Sequence, residues 1–171
     1  SKGVALLREV DLEKLAKGFH YLKEVSEFDI WHDEKCEDLT KKAKEILNDT
    51  KSGEKPNFTY GVAAKLLNCY LKTIFVTQFI GSLSATEKEK VSVIHPPIDR
   101  LLINSIKNKL HLIYADTEME EKRKFWNSKD IQSWSLYEAR DYKKVIGEIK
   151  QIQKKRNQPL WMIEAYWPGH Q

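Results

Sequence analysis

Apolar side chains recur along most of this chain at the three- and four-residue spacing of amphipathic α-helices. The longest apolar segment runs from Val62 to Phe79 and is apolar on nearly all sides, which predicts a central helix that packs on several faces. The flanking segments carry a single apolar face each. The pattern predicts an all-α fold, a compact bundle of about seven helices with a central buried helix.

Start signals for helices flank the central segment. Asp11 is expected to cap a first helix that reaches Val25, and Asp33 is expected to cap a second that reaches Leu47. A polar loop with glycine and proline follows over residues 48–57 and separates these helices from the central one.

Two capping-box patterns lie further along the chain. Ser84 with Glu87 predicts a short helix after the central one, and Ser135 with Glu138 predicts the start of a late amphipathic helix. Between them, a helix is expected to begin at Ile98, directly after two prolines.

The composition is that of an ordinary globular chain and restricts function only weakly. The 171 residues are 41% hydrophobic and 32% charged, which fits one helical domain over residues 1–171. The net charge of +4 is mildly basic, so it permits a nucleic-acid partner without requiring one.

The cysteines and the apolar segment indicate where the protein works. Cys36 and Cys69 form neither a disulfide framework nor a zinc spacing, so a reducing cytoplasm is the expected compartment, and Cys69 is expected to be a small buried side chain. No membrane association is expected, because the best candidate span, residues 62–80, contains four polar side chains: Lys65, Asn68, Lys72 and Gln78.

Lys65 and Asp99 are the candidates for chemistry. Lys65 can extend its ammonium to water along an apolar surface, or it can be a desolvated amine that acts as a nucleophile. Asp99 can simply stabilise the first turn of a helix, or it can stabilise a developing cation or orient a water molecule.

Three neighbouring residues have similar pairs of interpretations. His95 is either a turn residue that bonds the backbone or a catalytic base. Arg100 is either a surface residue or a phosphate contact, and Lys72 is either solvated or faces phosphate.

Two segments together resemble the core of the helix-hairpin-helix DNA glycosylases, and in particular their compact oxoguanine-type branch. The first is Gly61–Asn68, Gly-Val-Ala-Ala-Lys-Leu-Leu-Asn, and the second is Ile98–Leu102, Ile-Asp-Arg-Leu-Leu. In that superfamily a hairpin of the form Gly-Val-Gly-x-Lys precedes an apolar helix, and an aspartate opens a later helix. Lys65 falls on that lysine and Asp99 on that aspartate.

The resemblance implies a DNA-repair function. Double-stranded DNA would be the partner, and a damaged base would be flipped out of the duplex into a pocket between helices. Asp99 would stabilise the cationic sugar, and Lys65 would attack the sugar carbon and permit strand cleavage. No metal and no cofactor are expected. The implied nucleic-acid contacts are Gly61, Lys72, His95 and Arg100.

Two other interpretations stay open. The chain can be a non-catalytic helical domain that binds a protein partner, or an unrelated helical bundle with a chance similarity to the motif. The glycosylase interpretation requires the Lys65 ammonium and the Asp99 carboxylate to lie at the mouth of one open cleft.

Overall fold

The computed structural model describes residues 2–48, 57–77 and 81–166. Within these ranges the chain is helical throughout and contains no β-strand, which confirms the all-α class. Nine α-helices occur there: α1 (Lys2–Glu9), α2 (Phe28–Asn48), α3 (Tyr60–Leu71), α4 (Ala85–Ser92), α5 (Arg100–Asn108), α6 (Leu110–Ile113), α7 (Met119–Asn127), α8 (Lys129–Gln132) and α9 (Ala139–Lys155).

The helix number exceeds the prediction of about seven because short helices break the longer ones. Single residues, Lys109 and Ser128, separate the short helices α6 and α8 from the helices that precede them. A π-helical turn over Lys72–Thr77 continues α3. Four 3₁₀ turns complete the described elements: Glu13–Lys17, Phe19–Tyr21, Trp134–Leu136 and Leu160–Tyr166.

Helix α3 lies at the centre and packs against α2 and α9. Its inner face carries fully buried Ala63, Ala64, Leu67 and Leu71, whose helical spacing aligns them on one side. The opposite side reaches solvent, and there the structure corrects a prediction: Cys69 is exposed. Cys69 lies one turn after Lys65, so the two residues share this outer stripe.

The predicted helix from Asp11 to Val25 is wrong. The chain forms two short 3₁₀ turns there, at Glu13–Lys17 and Phe19–Tyr21. Backbone geometry explains the difference, because Asp11 has φ 57° and Gly18 has φ 146°, and neither value fits an α-helix. Helix α2 begins at Phe28, ahead of the predicted cap at Asp33.

Of the two capping boxes, only the first forms. Ser84 Oγ accepts from Glu87 N–H at 3.2 Å, and Ser84 N–H donates to the Glu87 carboxylate at 2.8 Å. At the second, Glu138 is the N-cap of α9 and makes no side-chain capping bond. Ser135 is exposed instead, and its carbonyl accepts a hydrogen bond of 2.7 Å from the Thr59 hydroxyl.

The start of α5 brings an aspartate to the surface. Asp99 is the N-cap, and its Oδ1 accepts from the Leu102 N–H at 2.9 Å, so the helix begins at Arg100 rather than at Ile98. Most of the predicted polar loop at residues 48–57 and the end of the predicted central helix lie outside the described residues. In the part of the chain that is described, no helix has both the length and the apolar character needed to cross a bilayer.

Candidate functional site

Lys65 and Asp99 meet at the surface. Lys65 Nζ lies 3.1 Å from Asp99 Oδ2, and the side chains are 33% and 15% exposed. Lys65 comes from the outer stripe of α3 and Asp99 from the N-cap of α5, so two elements far apart in sequence supply the pair. The sequence interpretation called for both groups at the mouth of one open cleft and did not predict this ion pair between them.

The pair lies in an open groove of about 480 Å³. Trp134, on the 3₁₀ turn after α8, forms one wall, and the Lys65 ammonium lies 4.7 Å from the centre of its ring. This is a cation–π distance, so the ring favours one placement of the amine. We call this surface the Lys65 groove; its residues are Lys65, Asp99, Arg100, Leu101, Gln132, Trp134 and Ser135.

The carboxylate of Asp99 is held from two directions. One oxygen accepts from the Leu102 N–H at 2.9 Å, and the other contacts the Lys65 ammonium at 3.1 Å. The backbone bond orients the carboxylate at the positive end of the helix dipole. The arrangement therefore places a fixed negative charge and a primary amine side by side in a space open to a ligand.

Gly61 fixes the position of the groove wall. A Cβ atom at residue 61 would lie 2.1 Å from the Trp134 carbonyl oxygen and 3.0 Å from the Tyr137 Cβ. Only glycine allows the wall to approach α3 so closely. The buried Gly61 N–H donates to the Tyr137 carbonyl at 3.1 Å, so this N–H is bonded within the protein and does not face the groove. The phosphate contact predicted for Gly61 would need a free N–H group at this position.

The other three residues predicted to contact nucleic acid lie in different parts of the structure. Arg100 is exposed and lines the groove beside Asp99. Lys72 lies outside the residues that line the groove and pairs with Glu164 at 2.5 Å. His95 is 2% exposed and takes part in a buried network on another side of α3. The structure thus gathers Lys65, Asp99 and Arg100.

That buried network contains polar and titratable side chains whose association the sequence analysis did not predict. Asn68 donates through Nδ2 to the Pro96 carbonyl and to the Tyr142 hydroxyl, both at 2.9 Å. A carbonyl oxygen can only accept, so this contact fixes the orientation of the Asn68 amide. The Asn68 oxygen therefore accepts from His32 Nε2 at 2.7 Å.

The hydrogen-bond directions continue to the surface. The proton of the neutral His95 ring lies on Nε2, because the Asp29 carboxylate there can only accept, so Nδ1 accepts from the Tyr142 hydroxyl at 3.0 Å. His95 then donates from Nε2 to Asp29 Oδ1 at 3.0 Å. The result is a single directed chain from His32 through three buried side chains to a carboxylate that is 58% exposed.

Burial governs the protonation of this network. Loss of hydration lowers the pKa of His32 well below its usual value, and it also lowers the pKa of His95. The hydrogen bond from His95 is the largest cause of a strongly lowered pKa at Asp29. Both imidazoles are therefore neutral near pH 7 and the carboxylate is charged. In the sequence, the signal was a polar Asn68 on the apolar face between Leu67 and Leu71.

A second cleft, of about 260 Å³, opens over the end of this network. We call it the α2–α9 cleft, after the two helices that border it. Its residues are Asp29, His32, Asp33, Tyr60, His95, Tyr142, Lys143, Ile146, Gly147 and Lys150. It shares no lining residue with the Lys65 groove.

Neither surface offers a metal centre. Across the described ranges, no three His, Cys, Asp or Glu side chains are grouped so that they could hold a metal ion. The polar groups that line the Lys65 groove are an amine, a carboxylate, a guanidinium, an amide and a hydroxyl, together with the indole ring of Trp134.

Comparison with known proteins adds nothing to this geometry. No protein-family model, no curated protein and no solved structure matches the chain.

Proposed function

We propose that the Lys65 groove binds double-stranded DNA and acts on a flipped, damaged nucleotide as a glycosylase with an associated lyase step. The observation that supports this function best is the 3.1 Å contact between the Lys65 ammonium and the Asp99 carboxylate in an open groove. The resemblance of Gly61–Asn68 and Ile98–Leu102 to the glycosylase core supports it from the sequence.

Asp99 would serve the first step. When the glycosidic bond breaks, the bonding electrons leave with the base and positive charge develops on the sugar. A carboxylate held in place before the reaction stabilises that charge without reorganisation. The backbone bond from the Leu102 N–H supplies this fixed orientation.

Lys65 would serve the second step. Its amine must first lose a proton, and water can accept that proton because the Lys65 side chain is 33% exposed. The nitrogen lone pair then attacks the sugar C1′, the C1′–O4′ ring bond breaks as O4′ takes up the proton released by the amine, and an imine joins the enzyme to the DNA. The imine activates the neighbouring C–H bond, and elimination of the 3′ phosphate cleaves the strand.

The remaining groove residues fit the recognition of a nucleotide. Trp134 provides a ring on which a flipped base can stack, at the cost of its contact with the Lys65 ammonium. Arg100 lies exposed at the edge of the groove, where a guanidinium can contact phosphate.

Borohydride trapping on an abasic-site duplex tests the proposal directly. The native protein should form a covalent adduct and the Lys65→Gln variant none, because only reduction of an imine to Lys65 leaves the protein covalently attached to the DNA. The matched control is Lys124→Gln, which removes a lysine that is 76% exposed on α7. An adduct that persists in Lys65→Gln, or none with the native protein, would remove Lys65 as the nucleophile.

The role of Asp99 needs a separate variant. Asp99→Asn keeps a side-chain oxygen that can cap α5, so the helix should remain. The variant should lose release of a damaged base while it retains trapping on an abasic site, since the amine is still present. Equal loss of both activities would show that Asp99 acts only by holding Lys65.

A protein-binding role is the second candidate. Leu101 and Leu136 are 50% and 59% exposed, and Leu101 lines the groove. Exposed apolar side chains at a groove are typical of a surface that meets another protein. Duplex binding that weakens steeply with salt would favour the DNA function, because phosphate contacts release counterions. Absence of duplex binding at low salt would favour the protein partner.

A further inference from the structure

The α2–α9 cleft carries two charge pairs on facing helices. Asp29 and Asp33 lie one turn apart on α2, and Lys150 and Lys143 reach them from α9. The Lys143 Nζ lies 2.6 Å from the Asp33 carboxylate, and the Lys150 ammonium contacts Asp29. The carboxylates therefore hold two ammonium groups that belong to the protein itself.

Aromatic rings lie beneath these pairs. The His32 and His95 ring centres are 4.4 Å apart, and His32 stacks on Tyr142 at 5.6 Å with an angle of 12°. Tyr60 lies against Tyr142 at 5.6 Å. These side chains are 1–8% exposed, so they form the buried floor of the cleft beneath the two carboxylates.

Gly147 keeps the cleft open. It lies inside α9, where glycine is less favourable than alanine. Unlike Gly61, it has no neighbour that a Cβ would meet within 4 Å, so packing does not require glycine here. Because Gly147 lines the cleft, any side chain at this position would occupy the space between the two charge pairs.

We propose that the α2–α9 cleft binds an aliphatic diamine. The two ammonium groups of the ligand take the places of the Lys143 and Lys150 ammoniums on Asp33 and Asp29. The methylene chain lies over Gly147 and Ile146.

The distance between Asp29 and Asp33 along α2 determines which length of diamine can reach both. Residues four apart on a helix are separated by about 6 Å along the axis. An extended four-carbon chain places its terminal nitrogens at about that separation, so each ammonium group can reach one of the two aspartates. A two-carbon diamine is too short to reach both.

The resident lysines oppose the ligand only weakly. The Lys143 side chain is 56% exposed and Lys150 is 35% exposed, so both can swing into water. Exposed ion pairs contribute little to stability, and their release restores the motion of long side chains. Removal of a resident ammonium should therefore strengthen the binding of an amine.

Calorimetric titration of the full chain with 1,4-diaminobutane at constant ionic strength tests the site. Butylamine and 1,2-diaminoethane are the comparison ligands and should bind more weakly. Lys143→Ala should tighten diamine binding by up to about fivefold, as the loss of a surface ion pair predicts. A purely structural ion pair would give no such gain.

Two variants should abolish binding, and one should leave it unchanged. Asp33→Asn removes a carboxylate, and Gly147→Leu fills the cleft at a position where a Cβ meets no atom, so its fold is checked by thermal unfolding. The control is Asp38→Asn, which removes an exposed carboxylate of α2 outside the cleft.

Two results would overturn the proposal. One is the absence of diamine binding in both the native protein and Lys143→Ala. The other is binding that survives in Asp33→Asn and in Gly147→Leu. Since the cleft and the Lys65 groove share no lining residue, either result leaves the proposed glycosylase function untouched.

Discussion

Acidification should destabilise this protein well before its carboxylates titrate, because His32 and His95 are buried as neutral rings. His32 is 1% exposed and His95 is 2% exposed. His95 has both ring nitrogens engaged, with Asp29 as acceptor and Tyr142 as donor. Protonation of this ring at Nδ1 would turn the acceptor into a donor and would force the Tyr142 hydroxyl to turn away.

The sign and size of the effect follow from proton linkage. Burial places the pKa of both histidines in the folded state below the usual 6.5 of the unfolded chain. Below pH 6.5 the unfolded chain binds more protons than the folded one, so the free energy of unfolding falls as the pH falls. Each such histidine contributes at most about 1.4 kcal/mol per pH unit, and two contribute at most about 2.7 kcal/mol.

The histidines reduce the free energy of unfolding over a different pH range from Asp29. The pKa of Asp29 is lowered, chiefly by its hydrogen bond with His95, so its stabilisation is complete above its usual pKa of 3.8 and is lost only below it. His32, whose pKa is lowered further than that of His95, extends the histidine effect to lower pH. Below pH 6.5, and before the carboxylates begin to titrate, the slope should therefore belong to the two histidines.

Urea unfolding at half-unit steps from pH 7 to pH 5 measures the slope. His32→Gln keeps an N–H that can donate to Asn68 but removes one titrating ring, so the slope should fall to about half. His111→Gln, at an exposed position on α6, is the control and should leave the slope unchanged. A free energy that stays flat over this range in the native protein, or a slope that His32→Gln does not alter, would refute the reasoning.

Three further substitutions test packing by urea unfolding. Gly61→Ala should destabilise the fold by about 1–3 kcal/mol, because its Cβ would meet the Trp134 carbonyl at 2.1 Å. The same change at Gly147, where a Cβ meets nothing, should instead stabilise it by about 0.5–1 kcal/mol, and equal effects at both positions would contradict the packing argument. Trp126→Phe should lose about 2 kcal/mol, since it deletes the 3.0 Å bond from the fully buried indole N–H to the Tyr114 hydroxyl and leaves a cavity; an unchanged midpoint would contradict this.

Local signals were sufficient for part of the fold. The apolar period of residues 62–79 predicted α3, and the Ser84 box predicted the start of α4, because both depend on residues close in sequence. Lys65 and Asp99 were selected differently, through the resemblance to a known core, and their ion pair of 3.1 Å is known only from the structure.

The failures depend on tertiary contacts. Ser135 has the sequence of a capping residue, but its carbonyl and that of Tyr137 are bonded to the first turn of α3, so the chain forms a 3₁₀ turn there. The apolar period that predicted a helix over residues 11–25 also did not indicate that the backbone adopts positive φ at Asp11 and Gly18. Tertiary packing overrides local preference at such positions.

The pairings within the buried network could not be predicted from the sequence for a related reason. Asn68 and His32 each stand out as polar residues, yet nothing in the chain indicates that they bond to each other across 36 positions. The α2–α9 cleft depends on the same long-range pairings. A helical pattern shows which face is buried, and only the packed structure shows which polar groups share that face.

The main chain and the side chain of Trp134 have separate roles in the groove wall. The main chain of residue 134 sets the distance between the wall and α3, because the Gly61 contact is with its carbonyl oxygen. The indole of Trp134 contributes only chemistry, through its face toward the Lys65 ammonium. A different side chain at position 134 can therefore change what the groove accepts while its width is preserved, which makes this position a natural point for altering specificity by substitution.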